Sequence, residues 1–355
     1  MTGDVEETVE DNTVAGSVVP RVGSRVTMQQ VAAEAGVSVS TVSKVMNGRY
    51  GVSSQTFDHV SAVINRMGYE TSLVARSLRN ARTNVIGLLV ADFEPFSTEV
   101  LKGAADAIRG TGYELVAYSA SGRFDERPHH PRQVAPFPAD VLVDGAVLVT
   151  PTVTDVQYDG PVVAVDPHTG RSSLPTVAAD NLQGARMGVD FLLDLGHRRI
   201  GMVTGRADLV SAQLRERGYR EAHAAAGVPV DETLLADGAF DPEQARDAAR
   251  SLLGLPEPPT AIFAANDISA LATLEVAAEL GVDVPGRLSV VGFDNIPESA
   301  LSHPPLTTVQ QPMRQMGHDA IAMLVALIAG HTVDETHVTL ETTLVPRRTT
   351  AAPRS

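Results

Sequence analysis

A short segment near the N-terminus carries small polar side chains that are suited to contacting nucleic acid. From Val39 to Phe57 the sequence has no acidic residue. The polar groups in the first part of this segment are Ser40, Thr41, Ser43, Lys44 and Asn47. Hydroxyls, an amide and one lysine can reach base edges and phosphates in a DNA major groove. The alternative is a small helical bundle with a solvated face, although such a face more usually carries glutamates and lysine–glutamate pairs.

A second set of polar residues follows short apolar runs in the rest of the chain. These residues are Asp92, Asp166, Asn266 with Asp267, and Asp294. If the runs are parallel strands, their carboxyl ends share one edge of a sheet, where ligands of open α/β folds bind. Arg215 is a candidate cation nearby, and Phe96 and Phe240 could stack on the face of a ring. This combination suits a neutral polyhydroxy molecule better than a phosphate ester, although each aspartate alone could equally be a helix cap.

Signatures of the common enzyme and nucleotide-binding classes are missing from the sequence. There is no GxGxxG, GxxxxGKS/T, HExxH or GxSxG segment. The pair His129–His130 lies among prolines without a partner at metal-ligand spacing, which indicates a surface loop. Asp92 and Asp294 could face each other as the carboxylate pair of a carbohydrate enzyme, but an enzyme would not explain the basic N-terminal segment. We therefore expect no catalytic residue, no metal and no cofactor.

Helical spacing over 27–70 places the first set of polar side chains on a helix-turn-helix unit. The first segment begins at Thr27, which can form a capping box with the glutamine three residues later, and it stops at Gly36. A second segment follows, with Val42 and Val45 on its inward face and the polar groups outside. A third amphipathic segment covers these two and completes the unit.

From Asn84 onward, apolar runs alternate with helical segments. The runs are 85–90, 113–119, 144–150, 161–166, 199–204, 260–265 and 288–293. They are short, rich in valine and isoleucine, and spaced for βαβ units, which predicts doubly wound parallel sheets. Seven strands suit two such sheets better than one, with the break near Asp180.

The charge of the chain is distributed unevenly. The net charge of the 355 residues is −15, yet 25–82 contain seven basic and three acidic residues. The lack of cysteine excludes disulfides and thiolate chemistry. Residues 1–24 are acidic and lack the apolar run of a signal peptide, and no apolar stretch is long enough to span a bilayer. We expect a cytoplasmic protein.

These segments, in this order, resemble the lac repressor/galactose repressor family of bacterial transcription regulators. The resemblance runs from about Val26 to Val345. Its most specific stretches are VTMQQVAAEAGVSVSTVSKVMNG, ARSLR, LGHRRIG, FAANDISALATLEVAAELG and PGRLSVVGFDNIPESALSHPPLTTVQQP. It implies an all-α helix-turn-helix DNA-binding domain, a hinge helix, and an α/β core of two doubly wound parallel-sheet subdomains like the sugar-binding periplasmic proteins.

The resemblance implies the following domain organisation. The parts are a disordered tail over 1–24, a helix-turn-helix domain over 25–71, a hinge helix over 72–82, a core over 83–346 and a tail over 347–355. The first subdomain of the core takes about 83–180 plus 312–333, and the second takes about 181–309 plus 334–346. Thr71-Ser72 departs from the Pro-Asn that commonly precedes the hinge in the family. Prolines interrupt the acidic helix that the family usually has between residues 123 and 138.

Carried over residue by residue, the resemblance implies contacts in both the helix-turn-helix domain, here called the head, and the core. Those at groove and phosphate positions are Thr27, Val39, Ser40, Thr41, Ser43, Lys44 and Asn47, and those at the DNA backbone are Ser53 and Thr56. Leu78 matches the hinge leucine that is wedged into the minor groove, and Ala75 lies one turn before it. Effector-pocket positions are Asp92, Asp166, Ser211, Arg215, Phe240, Asn266, Asp294 and Gln311, to which the strand-end argument adds Phe96.

The sequence therefore predicts a dimeric transcription repressor of carbohydrate-utilisation genes. Each chain would read one half-site of a pseudo-palindromic operator, since a two-fold dimer presents its recognition helices symmetrically. A sugar bound between the subdomains would change their closure, the separation of the hinge segments and hence the operator affinity. Two alternatives stay open, a sugar-binding receptor and a carbohydrate enzyme that uses the same cleft. No membrane partner is expected.

Overall fold

The computed structural model describes residues 26–46, 51–67, 82–119, 143–151, 158–168 and 173–354. The chain divides into two compact units, with the division between Arg76 and Ser77. Several predicted features lie outside the described residues, namely the tail over 1–24, the hinge helix apart from Arg82, Asn47, Ala75, Leu78 and the proline-rich segment between 123 and 138.

Three helices lie in the described part of the N-terminal unit. They are α1 (Met28–Glu34), α2 (Val39–Met46) and α3 (Ser54–Met67). Each helix is capped at its start by a side-chain hydroxyl that accepts a hydrogen bond from a backbone N–H of the first turn. These hydroxyls belong to Thr27, Ser38 and Ser53. The buried core consists of Val31, Ala32, Ala35, Val42, Val45, Val60 and Val63. This arrangement confirms the predicted helical unit.

The first subdomain of the larger unit is built on a six-stranded parallel sheet. Its strands are β1 (Val85–Val90), β2 (Glu114–Ser119), β3 (Gly145–Val149), β4 (Val162–Val165), β5 (Thr176–Ala179) and β11 (His337–Leu340), in the order β11-β5-β4-β3-β1-β2. Helices α4 (Pro95–Ala107) and α10 (Met313–Ile328) pack together and contribute to the core of this subdomain.

The second subdomain is built on another six-stranded sheet. Its strands are β6 (Ile200–Thr204), β7 (Leu235–Asp237), β8 (Ala261–Ala264), β9 (Ser289–Asp294), β10 (Thr307–Gln310) and β12 (Thr343–Val345), in the order β12-β10-β9-β8-β6-β7. Pairing is parallel except between β12 and β10. The helices are α5 (Asn181–Asp194), α6 (Val210–Ala225), α7 (Pro242–Leu253), α8 (Asp267–Glu279) and the short α9 (Pro297–Leu301).

All seven apolar runs that were predicted to be strands are strands. In β1 and β9 every residue is buried, as expected of parallel strands covered on both faces. Five further strands lie in the described chain, namely β5, β7, β10, β11 and β12. These five have only three or four residues and carry polar or exposed positions, so no apolar run marks them.

The chain passes between the subdomains three times. It leaves the first sheet at Asp180, the N-cap of α5, returns between β10 and α10, and crosses again between β11 and β12. The break near Asp180 agrees with the sequence prediction. Among the described residues, no helix is long and apolar enough to cross a membrane.

Two parts of the predicted domain division are wrong. Residues 334–346 were placed in the second subdomain, but His337–Leu340 pairs in parallel with β5 of the first sheet. Residues 347–355 were predicted to be a tail, but Thr349 is fully buried and exchanges hydrogen bonds with the backbone of Val290. Both segments are held by backbone hydrogen bonds to strands from earlier parts of the chain. Such pairing leaves no pattern of apolar residues in the sequence that could have predicted it.

Two glycines allow α4 and α10 to cross closely. A Cβ atom added at Gly103 would lie 1.9 Å from the carbonyl oxygen of Arg314, and one at Gly317 would lie 2.0 Å from that of Val100. No real side chain fits at such distances, so the two helices contact each other through their backbones. Arg314 and Glu99 add an ion pair of 2.7 Å between the same helices.

Candidate nucleic-acid interface and ligand cleft

Helix α2 carries five of the eleven residues that were predicted to contact DNA. Val39, Ser40 and Lys44 are exposed, whereas Thr41 and Ser43 are half-buried. The opposite face is buried through Val42 and Val45, so the core of the unit fixes which side chains point outward. This segregation fits a helix that inserts into a groove.

Three further predicted contacts of this unit, Thr27, Ser53 and Thr56, lie at helix starts. Thr27 and Ser53 are exposed and cap α1 and α3, and Thr56 is half-buried with its hydroxyl 2.8 Å from that of Ser53. Exposed helix N-termini present N–H groups and a partial positive charge, which favour phosphate.

Arg215 is the centre of a buried polar cluster at the carboxyl ends of the strands. The residue is 4% exposed. Its Nε donates to Asn181 Oδ1 at 2.8 Å and its Nη1 to the carbonyl oxygen of Ala265 at 2.5 Å. The guanidinium carbon lies 3.9 Å from the centre of the Phe293 ring and 5.6 Å from that of Phe240. The guanidinium of Arg215 therefore contacts the cluster in two ways, by stacking its planar face on aromatic rings and by donating hydrogen bonds from its N–H groups.

The cluster extends to acceptors on both sides of Arg215. Asp294 Oδ1 lies 3.4 Å from Arg215 Nη1 and accepts from Gln311 Nε2 at 2.7 Å. On the other side, Asn181 Nδ2 donates to Asp166 Oδ1 at 3.1 Å. The described chain thus forms one continuous series from Asp166 through Asn181, Arg215 and Asp294 to Gln311.

Burial raises the pKa of Asp294 to about 7, with Arg215 and Gln311 acting in the opposite direction and Glu94 and Asp166 adding to the rise. The carboxyl group is therefore poised between its charged and neutral forms near neutral pH. It can accept a hydrogen bond in both forms and can donate one when neutral.

Unusual backbone conformations direct several of these side chains. Asp166, Phe240 and Asp294 all have positive φ, at 45°, 60° and 118°. Such values are uncommon for residues other than glycine, and each residue stands at or soon after the end of a strand. Strained conformations of this kind concentrate at functional sites because they aim side chains that a regular turn would not.

The remaining predicted residues are placed in different surroundings. Ser211 is buried one turn before Arg215 on α6. Asn266 is also buried and caps α8, because its Oδ1 accepts a hydrogen bond from Ser269 N. Asp92 is exposed and accepts from the N–H of Phe93. Phe96 belongs to the apolar core of the first subdomain, so its ring is largely enclosed by protein.

Sequence reasoning did not select Asn181, His168 or Glu94. Asn181 lies two residues after β5, a strand that no apolar run marked, so the strand-end argument was not applied there. Asp267, by contrast, was noted and is fully buried, where it accepts from Ile296 N at 2.9 Å and from the Thr308 hydroxyl. Burial and Asp294 raise its pKa, and its contacts hold the loop after β9 in place.

The cluster retains hydrogen-bonding capacity toward a ligand. Gln311 Oε1 is buried without a hydrogen-bond partner among the described residues, and Arg215 Nη2 makes no hydrogen bond to them. A buried acceptor beside buried donors, with the Phe240 ring next to them, suits a neutral molecule with several hydroxyl or amide groups. Within the described ranges, no group of histidines and carboxylates is arranged to hold a metal ion.

Comparison with known protein families gives two matches along the chain. Residues 27–72 match the model described as bacterial regulatory proteins, lacI family. Residues 189–350 match the model of a periplasmic binding protein-like domain.

Similar proteins extend over nearly the whole chain. The HTH-type transcriptional regulator CelR of Thermobifida fusca is 34% identical over 342 residues, which is 91% of this chain and 98% of that protein. The HTH-type transcriptional repressor PurR of Photobacterium profundum is 34% identical over 303 residues, covering 84% and 90%.

Two solved structures match nearly the whole chain. A CelR–cellobiose complex matches with a TM-score of 0.66 and 33% identity, covering 92% of this chain and all of that one. The lac repressor dimer bound to operator and the anti-inducer ONPF matches with a TM-score of 0.78 and 25% identity, covering 93% and 100%.

Proposed function

The chain belongs to the lacI family of bacterial regulatory proteins, and from that premise we propose that it represses carbohydrate-utilisation genes under the control of a sugar effector. Its partners are operator DNA, which it binds as a dimer, and a small-molecule effector.

The polar cluster around Arg215 is the observation that carries the sugar assignment. It presents charged and amide groups beside the Phe240 ring, and a pyranose has hydroxyls for the first and an apolar ring face for the second. The relative with cellobiose bound is 33% identical over nearly the whole chain. We infer that Asp166, Ser211, Arg215, Phe240, Asn266, Asp294 and Gln311 contact the effector.

A purine is the second candidate effector, because relatives named PurR match this chain as well as CelR does. A purine would also use the Phe240 face and the amide of Gln311. Titration calorimetry of the full chain with cellobiose, with monosaccharides and with purine bases separates the two classes. Binding of a purine base with no binding of any sugar would overturn the sugar assignment.

We infer that α2 reads the operator with Val39, Ser40, Thr41, Ser43 and Lys44, and that Thr27, Ser53 and Thr56 contact its backbone. Asn47, Ala75 and Leu78 complete the predicted contacts. Selection of bound duplexes from a random DNA pool, followed by footprinting, tests this inference. A recovered site without two-fold symmetry would contradict dimeric reading.

The effector would act by changing the equilibrium between two arrangements of the subdomains. Arg215 and Asp294 belong to the second subdomain and Asp166 to the first, so a ligand that touches all three favours the arrangement that brings them together. Anisotropy titration of the selected duplex with and without effector measures the direction of the response. A carbohydrate enzyme is the competing interpretation, and turnover of cellobiose by the purified protein would support it.

A further inference from the structure

His168 joins the two subdomains beside the polar cluster. It follows β4 of the first sheet by three residues, and it contacts the start of α6, which belongs to the second subdomain. Its carbonyl oxygen accepts from Val210 N at 3.0 Å, and its Nδ1 lies 3.1 Å from the hydroxyl of Ser211. One residue of the first subdomain is therefore hydrogen-bonded twice to the first turn of a helix in the second.

The start of α6 depends on this contact for its capping. The N-cap position of α6 is Leu209, which makes no side-chain capping hydrogen bond. The first N–H groups of a helix have no partner within the helix, and here His168 supplies one for Val210 from the opposite subdomain. Moving the subdomains apart breaks both hydrogen bonds and leaves the first turn of α6 to water.

The same helix carries Arg215 into the cluster. Ser211 and Arg215 are four residues apart, so they lie on the same face of α6, and both are buried. A contact that fixes the first turn of α6 thereby also fixes the distance between Arg215 and the acceptors of the first subdomain.

Charged groups of both signs surround the His168 ring. Asp166 on its own segment and Asp208 before α6 favour a protonated ring, whereas Arg215 and Arg206 disfavour it. Burial outweighs the two aspartates and lowers the pKa of His168 below its usual 6.5. The ring is neutral in this arrangement at neutral pH.

We propose that His168 is a positioning residue that holds the two subdomains together through Ser211 and the first turn of α6, and that it does so more strongly while its ring is neutral, because a charged ring is costly to bury there. When the subdomains separate, water can solvate a charged ring. The separated arrangement therefore binds the proton more readily, and acid shifts the equilibrium toward it below about pH 6.5. The proposal goes beyond the sugar response, because it concerns an equilibrium that exists without any effector.

Because the chain has no cysteine, two spin labels can be placed without background. Ala91→Cys, directly after β1 of the first sheet, and Glu243→Cys, in the first turn of α7 after β7 of the second sheet, are exposed positions beyond the carboxyl ends of strands. Electron–electron distances are measured on the labelled full chain, without effector, at about pH 8 and about pH 5.5. They give the ratio of molecules whose subdomains are close together to molecules whose subdomains are separated.

We expect His168→Ala to lower this ratio about 2- to 10-fold at pH 8, as the loss of one hydrogen bond implies. The unsubstituted chain should show a change in the same direction on acidification. His168→Asn keeps a hydrogen-bonding group near the position of Nδ1 but cannot take up a proton. It should therefore keep the high ratio at pH 8 and lose the shift toward separated subdomains on acidification, which a merely structural role would not produce.

Two results would overturn the proposal. One is an unchanged distance distribution in His168→Ala at pH 8. The other is a shift toward separated subdomains on acidification that persists in His168→Asn, because Asp294, whose pKa is raised by burial, favours the close arrangement in acid and cannot be the source of that shift. Thermal melts of each variant verify folding, and His168→Asn remains decisive if His168→Ala does not fold.

Discussion

Arg215, Asp294 and Lys44 differ in surroundings, so their substitutions should have separable effects. Arg215 and Asp294 are buried within one hydrogen-bonded cluster of the larger unit, whereas Lys44 is exposed on α2 of the head. The first two residues should govern the response to the effector, and the third should govern affinity for DNA.

Arg215→Ala should abolish the effector response and leave operator affinity nearly unchanged. A hydrogen bond to a charged group contributes about 1.5–3 kcal/mol, so effector affinity should fall roughly 10- to 150-fold by calorimetry. Arg217→Ala is a matched control, because Arg217 is on the same helix but is exposed and pairs with Glu221. Loss of operator binding with intact effector affinity would contradict this division of roles.

Asp294 should contribute a pH dependence to the stability of the core. Its pKa is raised to about 7 in the fold from 3.8, so the folded state binds the proton more tightly than the unfolded state. The resulting stabilisation is full below pH 3.8 and is lost as the pH rises through about 7. Asp294→Asn should therefore flatten the change in melting temperature between about pH 4 and pH 8. An unaltered slope in calorimetric scans would show that another group is responsible.

Lys44→Ala should weaken binding to operator. If Lys44 touches phosphate, the slope of log affinity against log salt should become shallower by about one unit, and affinity for all sequences should fall alike. If it reads a base, specificity at one position should relax instead. Anisotropy titrations at several salt concentrations measure both effects, with Arg66→Ala as a control, since Arg66 is paired with Glu34. Wild-type affinity would remove Lys44 from the interface.

At the scale of helices and strands, the crossing of α4 and α10 is the tightest constraint. Gly103→Ala should lower the stability of the core by about 1–3 kcal/mol, because the new methyl would overlap the backbone of Arg314. Chemical denaturation followed by circular dichroism measures the loss. Ser251→Ala, on the exposed face of α7, should change stability little. An equal effect of the two substitutions would mean that the helices can move apart freely.

The elements with strong local patterns could be predicted from the sequence. The capped helices of the head and the long valine-rich strands follow from capping chemistry and uninterrupted apolar runs. Strands such as β5 and β11 could not be predicted, because their pairing partners, rather than their own side chains, determine them. Asn181 was missed for the same reason, since it is recognised as a site residue only once β5 is known to be a strand.

Prediction of the site residues also depended on whether the strand before each of them could be recognised in the sequence. Asp166 and Asp294 follow strands that were recognised, and both enter the cluster. Asp92 also follows a recognised strand, yet its side chain bonds to the adjacent backbone. The position of a residue in sequence therefore identified the edge of the sheet, whereas the backbone conformation of each loop determines which side chains turn inward.

At the scale of the whole molecule, the C-terminal segment 347–354 is an integral part of the second subdomain. The buried His197 has its Nε2 2.9 Å from the carbonyl oxygen of Ala351 and its Nδ1 2.9 Å from the Thr260 hydroxyl. Arg347 donates to Asn295 Oδ1 at 2.6 Å, one residue from Asp294. The segment thus supports the loop that carries part of the cluster.

Truncation after Pro346 should lower the melting temperature of the core by several degrees and weaken effector binding. The truncation exposes the Val290 and Thr307 backbone groups that Thr349 satisfies, and each buried polar group left unpaired costs about 1–3 kcal/mol. Removal of Ser355 alone is the control. A truncated chain with unchanged melting temperature and effector affinity would show that the segment is dispensable.

The late position of β11, β12 and residues 347–354 has a consequence for the order of folding during synthesis. The strand β11 belongs to the first sheet and β12 to the second, so neither subdomain can complete its pairing until residues 337–345 have been translated. The head needs only residues from the beginning of the chain, and domains generally fold as units as they emerge. On each newly made chain, the part that reads DNA is therefore formed before the part that regulates it.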